Sequence, residues 1–164
     1  MKPSVYLETS FISYLTARLS NDLIVAGHQR ATQLWWDKRR GDFNVFVSQF
    51  VLDEAALGDK EAAGQRLEIL RKVRLLDIKP EVALLAKNLV TEIPLPKKAG
   101  QDAAHIAVAA VNGIDYLLTW NCRHIANAFI RRQIQGICAK AGFKCPGICT
   151  PDALLGDYAE TGDL

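Results

Sequence analysis

Short apolar runs alternate along the chain with longer segments in which apolar residues recur every three or four positions. Gly, Pro, Asn, Asp or Ser residues flank the short runs, which is typical of buried strands. We predict strands at residues 5–7, 43–47, 75–78, 114–118 and 147–150. The longer segments have the spacing of helices with one buried face. We predict helices at residues 11–15, 23–41, 49–57, 60–74, 80–90, 102–111 and 126–141, and a last helical turn at 151–155.

This order of elements predicts an α/β fold with a mainly parallel sheet and helices on both of its faces. Polar residues mark several of the helix ends. Ser10 is predicted to cap the first helix, and Ser48 is predicted to cap the helix that starts at residue 49. Asn112 and Gly113 are expected to end the helix before the fourth strand.

The length of 164 residues fits one domain with a full hydrophobic core. We predict a single domain over residues 1–156 and an acidic tail at 157–164 that is expected to be disordered. No apolar run reaches the roughly 18 residues of a membrane span, and the first residues lack a signal-peptide pattern. We therefore expect a cytoplasmic protein without membrane contact. The net charge of +2 indicates no particular partner.

The four cysteines, at positions 122, 138, 145 and 149, form no C-x-x-C motif. In a cytoplasmic protein they are expected to be reduced thiols. A zinc site built from Cys138, Cys145, Cys149 and His124 is an alternative, although its spacing matches no standard zinc pattern.

Acidic residues stand next to several apolar runs. These acids are Glu8, Asp53, Glu54 and Asp102. An amide, Asn121, follows the fourth predicted strand. Each acid has a simple interpretation as a charge at a helix start. The carboxyl ends of parallel strands meet at one edge of a sheet, however, and carboxylates gathered there repel each other unless a cation lies between them. Carboxylates with waters hold Mg²⁺ or Mn²⁺, and such an ion polarises a phosphate and activates a water. Asp53 and Glu54 point about 100° apart on a helix, so only one faces the site, and we assign Glu54.

Four segments carry a resemblance to a known family: V-Y-L-E-T-S-F-I, S-Q-F-V-L-D-E-A, Q-D-A-A-H-I-A-V-A-A and Y-L-L-T-W-N-C-R-H-I-A-N. In this order they resemble the motifs of PIN-domain ribonucleases, in particular the toxin of VapBC-type toxin–antitoxin pairs. The ordered set covers nearly the whole chain. The resemblance implies a three-layer α/β/α sandwich and hydrolysis of RNA with Mg²⁺ or Mn²⁺. It also implies a homodimer and an antitoxin that wraps the nuclease and blocks its site.

By motif position, the resemblance implies the metal ligands Glu8, Glu54 and Asp102. Asn121 occupies a fourth catalytic position that is often acidic in the family, and Thr9 or Ser10 matches a hydroxyl that supports the first acid. Two positions depart from the family pattern. The first acid is commonly Asp rather than Glu, and the amide of Asn121 removes a charge, which favours one metal ion over two.

Other polar residues are candidates for contacts with RNA: Thr9, Ser10, Lys97, Lys98, Arg123 and His124. The basic residues among them are equally consistent with ordinary solvated loops that contact no RNA. His105 shares a helix face with Asp102, and we interpret it as a hydrogen-bonded residue rather than a ligand, because Mg²⁺ prefers oxygen. Trp120 is expected either to stack on an unpaired base or to cover the sheet edge.

The sequence thus predicts a metal-dependent endoribonuclease, with two alternatives. One is a PIN-like RNA-binding module with lost or weak catalysis, which the departures at Glu8 and Asn121 motivate. The other is a phosphatase with Glu8 as nucleophile. The phosphatase is disfavoured because the chain has neither a glycine-rich phosphate loop nor an acid two residues after Glu8.

Overall fold

The computed structural model describes residues 1–93 and 99–156. In these ranges, five strands form one sheet in which every pairing is parallel. The strands are β1 Ser4–Leu7, β2 Asn44–Val47, β3 Arg74–Leu75, β4 Tyr116–Leu118 and β5 Gly147–Cys149. The α-helices are α1 Thr9–Thr16, α2 Leu23–Lys38, α3 Gln49–Ala55, α4 Lys60–Leu70, α5 Pro80–Glu92, α6 Gly100–Val111 and α7 Ala128–Lys140. Short 3-10 helices lie at Arg40–Asp42 and Pro151–Leu154.

The helices form two groups that flank the sheet. Helix α1 packs against α2, α3 and α4, whereas α5 packs against α6 and α7. Val5, Tyr6 and Leu7 of the central strand are completely buried, as expected for a parallel strand with both faces covered. The predicted α/β fold with a parallel sheet between helical layers is therefore confirmed.

The strand order is β3-β2-β1-β4-β5. The chain first builds the sheet outward from β1 to β3, and it then returns to the other side of β1 to form β4 and β5. Ligands in open parallel sheets bind outside the carboxyl ends of the strands, at the point where the order reverses. This topology brings the residues that follow β1, β2 and β4 to one edge of the sheet.

Three predicted boundaries differ from the structure. The helix expected to reach residue 74 ends at Leu70, and the next strand is Arg74–Leu75 rather than 75–78. The register of β2 determines this strand, because Phe46 and Val47 pair with Arg74 and Leu75. The cap of α1 is Glu8 rather than Ser10, because the Glu8 side chain accepts the Ser10 N–H and the helix begins at Thr9.

Several other helix ends agree with the sequence. Asp22 caps α2 by accepting the N–H groups of Ile24 and Val25. Gly113 follows the end of α6 with a φ of 67°, a conformation that glycine adopts without steric cost. No described helix is both long enough and apolar enough to cross a membrane.

Candidate metal centre

Glu8 lies at the carboxyl end of β1 and is 5% exposed. Its Oε2 atom accepts hydrogen bonds from the Ser10 N–H at 3.1 Å, from the Ser10 hydroxyl and from the Thr119 hydroxyl at 2.7 Å. The Glu8 backbone N–H donates to the Leu118 carbonyl of β4 at 3.0 Å. Its Oε1 atom has no hydrogen-bond partner in the part of the chain that the structure describes. One carboxylate oxygen is thus fixed by the fold, and the other is available to a cation.

Glu54 reaches the same place from α3. It accepts a hydrogen bond from Nε2 of His105, a completely buried residue of α6. The other imidazole nitrogen, Nδ1, lies 2.6 Å from the Tyr6 hydroxyl, which lies 2.8 Å from the Ser48 hydroxyl. Asp53 is exposed and accepts a hydrogen bond from Gln49, so of the two adjacent acids only Glu54 faces this network.

The Tyr6 hydroxyl at the centre of this network stays protonated. Burial raises the pKa of the Tyr6 hydroxyl far above its ordinary value, and the nearby charges of Glu8 and Glu54 raise this pKa further. Tyr6 therefore keeps its proton, and its hydroxyl shares hydrogen bonds with Nδ1 of His105 and with the Ser48 hydroxyl. Because a carboxylate only accepts, Nε2 of His105 carries the hydrogen bonded to Glu54. His105 consequently positions Glu54, as an outer partner orients a metal ligand.

Glu8, Glu54 and His105 form a cluster in which one potential ligand atom of each residue lies within 4.8 Å of the others. His105 already uses both ring nitrogens in hydrogen bonds, so the available donors are carboxylate oxygens. Oxygen donors suit Mg²⁺ or Mn²⁺. A cavity of about 220 Å³ lies between α3 and α6 and is lined by Glu54 but not by Glu8, so it is separate from the space between the two carboxylates. The residues therefore fit a hydrated divalent cation held by Glu8 and Glu54.

Asp102 lies outside this cluster of closely spaced ligand atoms. Its Oδ1 accepts a hydrogen bond from the Asn121 side-chain amide at 3.0 Å, and its Oδ2 accepts one from His124 Nδ1 at 2.9 Å. The Asn121 side-chain carbonyl accepts the His124 backbone N–H at 3.1 Å. Asp102, Asn121 and His124 thus form a second polar group. The Asn121 side chain therefore joins Asp102 to the loop after β4, and its role at the fourth catalytic position stays a prediction.

The other predicted contact residues differ in their environments. The Thr9 hydroxyl is buried and has no hydrogen-bond partner among the described residues, so it is not exposed to RNA. The Ser10 hydroxyl bonds Glu8 and accepts the Trp120 N–H at 2.8 Å, which makes it part of the site's support. Arg123 is exposed on the loop after β4. Lys97 and Lys98 lie outside the described residues.

No protein-family model matches the chain. No curated protein matches it either. Among solved structures, the chain is similar to a chain of "Crystal structure of VapBC2 from Rickettsia felis bound to a DNA fragment from their promoter". The two chains are 17% identical, the match covers 73% of this chain and 88% of that chain, and the TM-score is 0.48.

All four cysteines are free thiols. Burial raises the pKa of Cys149 to about 11. In the described part of the chain, the only group with the geometry of a metal site is that of Glu8, Glu54 and His105, so the zinc alternative with Cys138, Cys145, Cys149 and His124 is not supported.

Sequence reasoning missed three residues of the site: Tyr6, Ser48 and Thr119. Tyr6 and Thr119 were interpreted only as parts of strands or their ends, and Ser48 only as a helix cap. The hydroxyl of a buried tyrosine usually has a hydrogen-bond partner. The tyrosine in the first predicted strand was therefore the one available indication of a buried polar network.

Proposed function

We propose that this protein is a metal-dependent endoribonuclease that hydrolyses RNA phosphodiester bonds, and that it is the toxin of a toxin–antitoxin pair. The observation that carries the nuclease proposal is the cluster of Glu8, Glu54 and His105 at the carboxyl edge of the parallel sheet. The toxin assignment, the antitoxin partner and the homodimer rest on the ordered sequence motifs.

In this proposal Glu8 and Glu54 hold one Mg²⁺ or Mn²⁺ ion. When bound, the ion supplies a positive charge that polarises a phosphate oxygen and lowers the pKa of a bound water. The protein keeps the two carboxylates in place through separate hydrogen bonds. Ser10 and Thr119 fix Glu8, whereas His105 fixes Glu54. These supports come from different elements, so the spacing of the carboxylates depends on the whole sheet edge.

The second polar group, Asp102, Asn121 and His124, is proposed to contact the RNA rather than the metal. Asp102 orients the His124 imidazole through Nδ1, which directs the opposite ring nitrogen, Nε2, away from Asp102. We place this nitrogen and the exposed Arg123 on the side where the RNA phosphate binds. Asn121 holds Asp102 and the loop together through its amide and its carbonyl oxygen.

A cleavage assay with two neighbouring substitutions tests the proposal. Glu54→Gln removes a metal-binding charge, whereas Asp53→Asn neutralises the adjacent, exposed acid on the same helix. We expect Glu54→Gln to lower the rate of RNA cleavage by at least about 100-fold, since even outer partners of metal ligands are worth about 10- to 100-fold. Asp53→Asn should cleave at the wild-type rate. Equal losses in the two variants, or a wild-type protein inactive with both Mg²⁺ and Mn²⁺, contradict the proposal.

A second candidate is an RNA-binding module without cleavage. The observation that favours it is the separation of Asp102 from the Glu8–Glu54 pair, which leaves fewer charges on the metal than the family pattern implies. Such a module binds RNA with an affinity that falls steeply with salt and does not depend on the divalent ion. Gel shifts and cleavage assays on one preparation separate the two functions.

A further inference from the structure

Three aromatic rings form a compact cluster beside the acidic site. Trp120 follows β4, Tyr14 lies on α1 and His28 lies on α2, and all three side chains are half-buried. The rings of His28 and Trp120 are stacked, with centroids 4.1 Å apart and an interplanar angle of 15°. The Tyr14 ring lies 5.9 Å from Trp120 and 6.0 Å from His28. We call Tyr14, His28 and Trp120 the aromatic cluster.

Hydrogen bonds fix Trp120 at both its backbone and its side chain. The backbone N–H donates to the Ser10 hydroxyl at 2.8 Å, and the indole N–H donates to the Thr32 hydroxyl at 2.7 Å. Thr32 in turn donates to the His28 carbonyl at 2.7 Å. A single network therefore holds Trp120 and its stacking partner, so the indole is rigidly oriented although it is partly exposed.

The same network ties the aromatic cluster to the acidic site. Ser10, which bonds the Trp120 backbone, also bonds the Glu8 carboxylate. Tyr14 lies four residues after Ser10 on α1, so the two residues share a helix face about 6 Å apart along the axis. The rings thus begin one helical turn from the carboxylate that is proposed to hold the metal.

An exposed apolar side chain lies next to the cluster on α2. Ile24 lies one turn before His28 on α2 and is 72% exposed. A partly exposed stack of rings continued by an exposed apolar side chain offers a flat, weakly hydrated surface. Such surfaces bind unpaired nucleobases, because every base has a π-face that stacks on aromatic rings. A base-paired strand keeps its bases stacked on one another and cannot use such a surface.

We infer that the aromatic cluster is a subsite for one unpaired nucleobase of the RNA, next to the phosphate at the metal centre. This inference rests on the proposed function for the identity of the substrate. It makes single-stranded RNA the substrate class, because the stacked base has to leave its own helix. Trp120 is the principal contact, and His28 supports it from the adjacent helix.

A binding cycle tests the subsite without depending on cleavage. Glu8→Gln protein is used to suppress turnover, and a short single-stranded RNA is made in a series in which one nucleotide at a time is abasic. One abasic position is expected to weaken binding by about tenfold, within the range known for base–aromatic stacking. In the Trp120→Leu variant of the same protein, that position-specific loss should disappear, because the base and the ring belong to one interaction.

Trp36 provides the matched control, because it is the other half-buried tryptophan and lies on α2 with His28. Trp36→Leu should keep the full abasic effect, whereas His28→Ala should reduce it. His28→Ala also tests the inference if Trp120→Leu fails to fold in a thermal melt. An abasic effect of equal size in every variant, or equal losses for Trp36→Leu and Trp120→Leu, overturns the subsite.

Cleavage is measured separately on the wild-type protein. An intact binding cycle without any cleavage supports the subsite and contradicts the nuclease proposal. Cleavage in the absence of any coupling between Trp120 or His28 and a base contradicts the subsite and leaves the nuclease proposal standing. Tight binding that depends only on salt and not on bases also overturns the subsite, since it indicates phosphate contacts alone.

Discussion

Thr9 and Ser10 are neighbouring hydroxyl residues with opposite environments. The Ser10 hydroxyl donates to the Glu8 carboxylate and accepts the Trp120 N–H, whereas the Thr9 hydroxyl is buried and finds no partner within residues 1–93 and 99–156. The sequence motif did not distinguish the two. At the scale of single residues, the structure assigns the support of the first acid to Ser10.

This difference predicts that removal of each hydroxyl changes the free energy of unfolding differently. Ser10→Ala should lower the free energy of unfolding by about 2 kcal/mol, because hydrogen bonds to charged groups contribute about 1.5–3 kcal/mol. Thr9→Val has nearly the same shape and loses no hydrogen bond, so it should leave stability unchanged or slightly higher. Urea unfolding of the two variants checks the prediction. A Thr9→Val protein that loses as much stability as Ser10→Ala contradicts it.

At the scale of elements, the amino ends of β1 and β4 are joined by one side chain. The Asp115 carboxylate accepts hydrogen bonds from the backbone N–H and the hydroxyl of Ser4, both at 2.8 Å. These bonds, the backbone one first, hold the pKa of Asp115 below its ordinary value of 3.8. The opposite, carboxyl ends of the same two strands carry Glu8 and Thr119 of the candidate metal centre. The hydrogen bonds between Asp115 and Ser4 therefore help to align β1 with β4, and so help to position Glu8 and Thr119.

The lowered pKa predicts how stability changes with pH. The folded protein binds the Asp115 proton less readily than the unfolded chain does, so the ionised carboxylate stabilises the fold above the ordinary pKa. That contribution is lost as the pH falls through the lower, folded pKa. Asp115→Asn should therefore melt below the wild type at pH 7, and the difference should shrink in acid below about pH 4. The effect should be small because Asp115 is exposed.

Thermal melts of both proteins across this pH range measure the effect. Asp152→Asn, which neutralises another exposed acid of the chain, serves as the control for the change in net charge. If the difference in Tm between the wild type and Asp115→Asn grows as the pH falls, the prediction is wrong.

At the scale of the whole molecule, Glu8 and Glu54 reach each other only after β1, α3 and α6 have assembled. A cation that needs both carboxylates therefore binds the folded protein and not the unfolded chain. By mass action, metal at 100 times its Kd adds about 2.7 kcal/mol to the free energy of unfolding. For a protein of this size, that corresponds to a rise in Tm of roughly 5–10 °C.

We expect Mg²⁺ or Mn²⁺ to raise the Tm of the wild type, and EDTA to reverse the rise. Glu54→Gln should lose most of this response, whereas Asp53→Asn should keep it. Asp102→Asn should also keep most of it, because Asp102 lies outside the cluster of closely spaced ligand atoms. A metal response lost only in Asp102→Asn would restore the sequence-based assignment of Asp102 as a ligand.

The sequence by itself determined the order of strands and helices, the parallel sheet and the presence of Glu8 and Glu54 at its carboxyl edge. These features follow from local periodicity and from the burial of apolar runs, which are properties of neighbouring residues. The helical period also placed Asp53 and Glu54 on different faces, and the structure then showed that Glu54 is the inward acid. The boundaries of β3 were misplaced because the strand is short and its pairing with β2 decides where it lies.

Only the tertiary structure decided which polar residues meet. His105 lies 99 positions from Tyr6 and 51 from Glu54, and the Ser10 and Thr119 hydroxyls that hold Glu8 are 109 positions apart. Asp102 is hydrogen-bonded to Asn121 and His124, which lie 19 and 22 positions later in the chain. Contacts over such separations depend on the strand order and on the positions of the helices against the sheet. Local sequence patterns do not encode these quantities, because they arise from the packing of the complete core.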